Sequence, residues 1–72
     1  LTGAPAVWWA LIGLAVGLVL VAEMANTAIE TLADRLHPGQ HPEIGVVKDV
    51  AAGAVLVATI VAIVVGVAYL LR

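Results

Sequence analysis

Two long uncharged runs divide this chain. The first, Ala6 to Ala22, holds 17 residues, and the second, Val50 to Leu71, holds 22. About 20 helical residues, rising 1.5 Å each, cross the ~30 Å hydrocarbon layer of a bilayer, so each run predicts a transmembrane helix. Between the runs, polar side chains return with helical spacing at Glu23, Asn26, Thr27, Glu30 and Asp34. At about 100° per residue these five fall within roughly 100° of arc on one helix face. Their neighbours Met24, Ala25, Ala28, Ile29, Leu32 and Ala33 are apolar. The first helix is therefore predicted to continue past the membrane edge to about Leu36. It carries an acidic stripe there, and Pro38 is its first breaker.

The turn residues of His37-Pro38-Gly39-Gln40-His41-Pro42 predict the connection. Pro42 suits the first turn of a second helix, running from about Pro42 to Leu71, and Glu43 lies favourably near its positive N-terminal end. The expected fold is all-α: an antiparallel two-helix transmembrane hairpin, both termini on one side and the polar connection on the other. Thr2 is a candidate cap for a first helix starting at Pro5. Trp8 and Trp9 are expected at one bilayer edge, with Tyr69 and Arg72 at the same edge. The competing reading of the tryptophans is burial in a core. Gly13 and Gly17, four apart, and the Ala51 to Ala54 patch offer small-residue faces where another helix can approach closely.

Composition sharpens this picture. The chain of 72 residues is 64% hydrophobic and 11% charged, with mean hydropathy +1.18. Seven of its eight formal charges lie between Glu23 and Asp49, and the eighth is Arg72. Such segregation excludes an ordinary soluble domain and fits two spans with a polar connection. There is no cysteine, so thiolate chemistry and disulfides are excluded. Lys and Arg total three and form no basic stripe, so no nucleic acid partner is expected. A signal peptide also fits poorly, because the start lacks a basic region and the apolar run leads into a patterned acidic helix. Arg35 and Lys48 against Arg72 weakly favour residues 36–49 on the cytoplasmic side.

Ionisable groups at the end of a span are costly and usually mark function. Glu23, after 17 uncharged residues, is a partly desolvated carboxylate suited to a general base. Glu30, two turns along the same face with Asn26 between, suits oxygen ligation of a divalent metal. Lys48 offers a cation for phosphate and Asp49 a further acid. Together these groups meet the needs of phosphoryl transfer, which rests on positioning and charge neutralisation. Blander readings stand beside these. Glu30, Asp34 and Arg35 suit a solvated helix face, and Asp34 suits a local pair with Arg35 or Lys48. Lys48 and Asp49 suit a snorkelling interfacial pair. His37 and His41 lie in a Pro/Gly loop, where histidines are commonly solvated. Neither a Walker A motif nor G-x-G-x-x-G occurs.

These residues carry a resemblance. Glu23-x-x-Asn26-Thr27-Ala28-Ile29-Glu30-x-x-x-Asp34-Arg35, then His41-Pro42, then Lys48-Asp49-x-Ala51-Ala52-Gly53-Ala54-Val55 resembles the prokaryotic diacylglycerol kinase family, including its undecaprenol kinase branch. The likeness covers roughly residues 15 to 72 and the family's last two membrane helices. It implies a three-span subunit that trimerises in the bacterial inner membrane. It further implies transfer of the ATP γ-phosphoryl group to a lipid hydroxyl, with Mg²⁺, at a cytoplasmic interfacial site between subunits. By this resemblance Glu23 would be the catalytic base and Asn26 would help orient it. Glu30 would ligate the metal. Asp34 and Asp49 would support the nucleotide and metal end, and Lys48 would contact phosphate. The family's N-terminal surface helix and first span, which supply further nucleotide and metal contacts, have no counterpart here. The sequence is thus expected to be a partial domain, the C-terminal two-thirds of such a kinase, and inactive alone. Diacylglycerol and undecaprenol both remain open as substrate. The readings from other classes are a non-catalytic membrane hairpin for assembly and an ion or proton conductor using Glu23. The conductor is disfavoured because the polar stripe stops at one interface.

Overall fold

The structure is a computed structural model, and it describes residues 3–39 and 41–72. It consists of two helices, α1 at Gly3–Leu36 and α2 at Pro42–Leu71. They lie side by side in a rod measuring 55 × 16 × 11 Å. The expected all-α antiparallel hairpin is therefore what the chain forms. Both helices are long and apolar enough to cross a membrane. Pro5 sits in the first turn of α1, two residues later than the observed start at Gly3. The proposed cap Thr2 lies outside the described residues.

The connection has local causes. α1 ends at Leu36, and the His37 N–H still donates to Ala33 O at 2.8 Å. Pro38 then denies the chain another helical donor. Gly39 takes φ 99°, a left-handed conformation that glycine adopts without a side-chain clash. His41 is extended at φ −123° and ψ 115° and caps α2 without a side-chain hydrogen bond. Its carbonyl accepts the Gly45 N–H at 3.0 Å. Pro42 follows at the first helical position, where a missing N–H costs nothing.

The helices meet along a seam with a seven-residue repeat. On α1 the seam runs through Trp8, Ile12, Ala15, Val19, Ala22, Asn26, Ile29 and Ala33, with Gly17 also partly covered beside it. On α2 the seam runs through Ile44, Lys48, Ala51, Val55, Ala58, Ala62, Val65 and Tyr69, with Gly53, Thr59 and Gly66 also partly covered beside it. Alternating steps of four and three are the spacing that keeps one stripe of each helix facing its partner. The Trp8 and Tyr69 rings meet edge to face at 5.8 Å, which sets the register at the terminal end. Counting inward from that rung, Asn26 falls level with Ala51.

Among the described residues the buried ones are all alanines: Ala15, Ala33, Ala51 and Ala58, the last only 3% exposed. Small side chains let two backbones approach where no hydrophobic driving force exists between helices in lipid. Gly13 and Gly17 are not part of this contact: a Cβ on either would meet nothing within 4 Å. They instead line an open apolar groove of about 750 Å³ on α1, with Ala10, Leu14, Leu18 and Val21. Gly53 is likewise open, so only Ala51 of the second small-residue patch is buried. Neither tryptophan is buried: Trp8 is half-buried against Tyr69, and Trp9 is 68% exposed. Thr59 satisfies its hydroxyl within the apolar run by donating to Val55 O at 2.8 Å.

Candidate functional site

The seam decides which way the acidic stripe points. Asn26 belongs to the seam and is half-buried, while Glu23, Thr27, Glu30 and Asp34 are exposed. The carboxylates thus occupy a face of α1 roughly a quarter turn from α2, by the angular spacing of helical residues. A third element or a ligand can reach them there.

The 34 residues of α1 and 30 of α2 both exceed the ~20 that cross a bilayer, so part of each projects beyond it. With the uncharged runs in the hydrocarbon, Glu23 stands at the membrane edge. Glu30 and Asp34 stand about 10 and 16 Å further along, at 1.5 Å per residue. Lys48 and Asp49, preceding Val50, return to the same polar layer from α2.

Two contacts tie this layer together. The Lys48 ammonium donates to Asp34 Oδ1 at 2.7 Å, joining α2 to α1. A helical side chain leans towards the N-terminus of its helix. Lys48 therefore leans towards the connection, and that is where Asp34 stands. Lys48 lies outside the apolar run. The hydrogen bond it donates to Asp34, with the charges of Asp34 and Glu30, holds its ammonium above the ordinary lysine range, against a partial loss of hydration. The second contact is weaker: Asn26 Nδ2 donates to Glu30 Oε2 at 3.4 Å. Asn26 Oδ1 is buried without a donor. The amide thus touches Glu30, and no hydrogen bond joins it to Glu23 among the described residues.

The sequence-predicted residues fall into two groups. Asn26 with Glu30 and Asp34 with Lys48 are brought into contact. Glu23 and Asp49 are exposed and form no ion pair among the described residues. Glu23 borders a shallow hollow of about 410 Å³ shared with Met24, Thr27 and Ala28. Thr27 is the one polar neighbour of Glu23 in that hollow, and its place in the stripe is the signal that marks it. Asp34 and Lys48 border a second groove of about 440 Å³, which also includes His37, His41 and Pro42.

Carboxylate and amide oxygens are the donor set that hard divalent cations take. Among the described residues no three His, Cys, Asp or Glu side chains converge to hold a metal by themselves. Mg²⁺ is usually held by one or two carboxylates completed by water and phosphate. The stripe fits that mode and not an all-protein cage.

An apolar helical hairpin with carboxylates and a paired lysine at one membrane edge defines the class. The model of the prokaryotic diacylglycerol kinase family matches residues 1–70, and the chain belongs to that family. It is 49% identical over 51 residues to a diacylglycerol kinase of Synechocystis sp., covering 68% of this chain and 29% of that protein. It is 43% identical over 47 residues to a diacylglycerol kinase of Escherichia coli, covering 65% of this chain and 38% of that protein. It is 38% identical over 58 residues to an undecaprenol kinase of Bacillus subtilis, covering 81% of this chain and 47% of that protein. The chain thus spans less than half the length of these relatives. No solved structure matches it.

Proposed function

We propose that this chain forms the acidic, membrane-edge part of a lipid kinase that moves the ATP γ-phosphoryl group onto the hydroxyl of diacylglycerol. The observation that carries the reading is the exposed carboxylate stripe, which starts at membrane-edge depth and ends at the Lys48–Asp34 pair. Family membership and relatives named as lipid kinases support it.

The roles follow depth. Glu23 is the carboxylate nearest the lipid, so it takes the proton of the lipid hydroxyl as that oxygen attacks the γ-phosphorus. The bond to the β-phosphate breaks and ADP leaves. Asn26, wedged in the seam, steadies the carboxylate face and its neighbour Glu30. Glu30 would hold Mg²⁺, which neutralises phosphate charge when bound, and the exposed Asp49 would support the nucleotide end. Asp34 holds Lys48 in place, and Lys48 meets phosphate as a point charge.

The same reading treats residues 1–72 as one membrane domain, part of a three-span subunit in a homotrimer of the bacterial inner membrane. Residues 36–49 lie on the cytoplasmic side, where ATP is. The support is the stripe and the Gly13–Gly17 groove, both on faces of α1 that α2 leaves open.

Undecaprenol is the second substrate reading, favoured by the match to the Bacillus subtilis undecaprenol kinase, which covers 81% of this chain. Transfer of labelled γ-phosphate to each lipid in mixed micelles, with the whole parent protein, decides between them. Equal failure with both lipids would overturn the kinase reading.

A further inference from the structure

The two histidines of the connection are not used by the phosphoryl-transfer reading, yet they are paired. The His37 and His41 rings stand 5.4 Å apart at 73°, edge to face. Two prolines and a glycine shape the backbone around them. Each histidine directly precedes a proline, Pro38 or Pro42, which disfavours helical backbone at the residue before it. His41 shows this directly at φ −123° and ψ 115°. Gly39, at φ 99°, reverses the chain between them. The turn thus brings two imidazoles close together over five residues of sequence.

We propose that His37 and His41 form a two-imidazole site for a divalent transition metal of the copper or zinc class. The separation carries the proposal. With metal–nitrogen bonds of about 2.0–2.1 Å, two imidazole centres on one tetrahedral ion lie about 5 Å apart. The observed centroid separation of 5.4 Å is close to that spacing. Both histidines are exposed, so an ion has a path in and water completes its shell. The neighbouring ammonium of Lys48 is neutralised by Asp34 at 2.7 Å and does not repel the ion. Imidazole favours copper and zinc over hard cations. The site is therefore chemically distinct from the carboxylate stripe, and the proposal does not rest on the kinase reading. A bound ion would staple the turn that joins α1 to α2.

The test uses the full chain in detergent, free of any histidine tag, with excess Mg²⁺ present to occupy carboxylates. Cu²⁺ is added and followed by electron paramagnetic resonance. The expected result is stoichiometric uptake with hyperfine coupling to two nitrogens, lost in both His37→Gln and His41→Gln. Zn²⁺ should raise the melting temperature of the parent chain and leave both variants unchanged. Absence of stoichiometric uptake, or a two-nitrogen signal surviving in either variant, overturns the proposal.

Discussion

Lys48 on α2 reaches Asp34 on α1 at 2.7 Å, across 14 residues of sequence and the whole connection. The pair closes the polar end of the hairpin as the Trp8–Tyr69 contact closes the other end. Its partners are 33% and 67% exposed, so its main consequence is placement of a charge rather than stability. Asp34→Asn should leave the melting temperature in detergent nearly unchanged. The whole kinase carrying it should show a raised KM for ATP, because the Lys48 ammonium is no longer held. An unchanged KM would remove Asp34 from the nucleotide end.

Glu23 sits at membrane-edge depth beside an open hollow. A positioned general base contributes roughly 10²–10⁴-fold. Glu23→Gln should therefore lower kcat by about that factor while the KM for ATP stays the same. Steady-state kinetics with saturating lipid read the split. A variant with parental kcat would rule Glu23 out as the base.

Asn26 presents a buried acceptor with no donor to the seam. An unsatisfied buried group costs about 1–3 kcal/mol. Asn26→Ala should therefore stabilise the hairpin, or leave it unchanged, while reducing phosphoryl transfer, the pattern of a residue kept for function. Denaturant titration in micelles alongside an activity assay separates the two effects. Loss of both stability and activity would show that Asn26 serves only the packing.

Ala58 is the most buried residue of the seam at 3% exposure. A leucine there has nowhere to go without separating the helices, and overpacking typically costs about 1–3 kcal/mol. Ala58→Leu should destabilise the hairpin by about that amount, whereas Ala54→Leu, on an exposed position of the same helix, should not. Equal effects of the two substitutions would contradict the observed seam.

Much of this molecule was legible one residue at a time. Both helix ends at the connection follow from Pro38, Gly39 and Pro42, whose backbone restrictions act within a residue or two. The stripe from Glu23 to Asp34 follows from helical periodicity. The family likeness likewise rested on residues near that stripe and on Lys48-Asp49. Its match proves to extend to residue 1, further than the expected start near residue 15.

What the order of residues determined by itself, then, was the number, length and ends of the helices, and the clustering of charge at one membrane edge. Tertiary structure alone decided which faces meet. Both helices are apolar almost all round, so no amphipathic contrast selects a contact stripe, and close backbone approach at small residues selects it instead. Two small-residue stripes on α1 competed. The one through Ala15, Ala22 and Ala33 met α2, and Gly13-x-x-x-Gly17 was left outside. That choice turned Asn26 inward and the carboxylates outward, and it brought Lys48 within reach of Asp34.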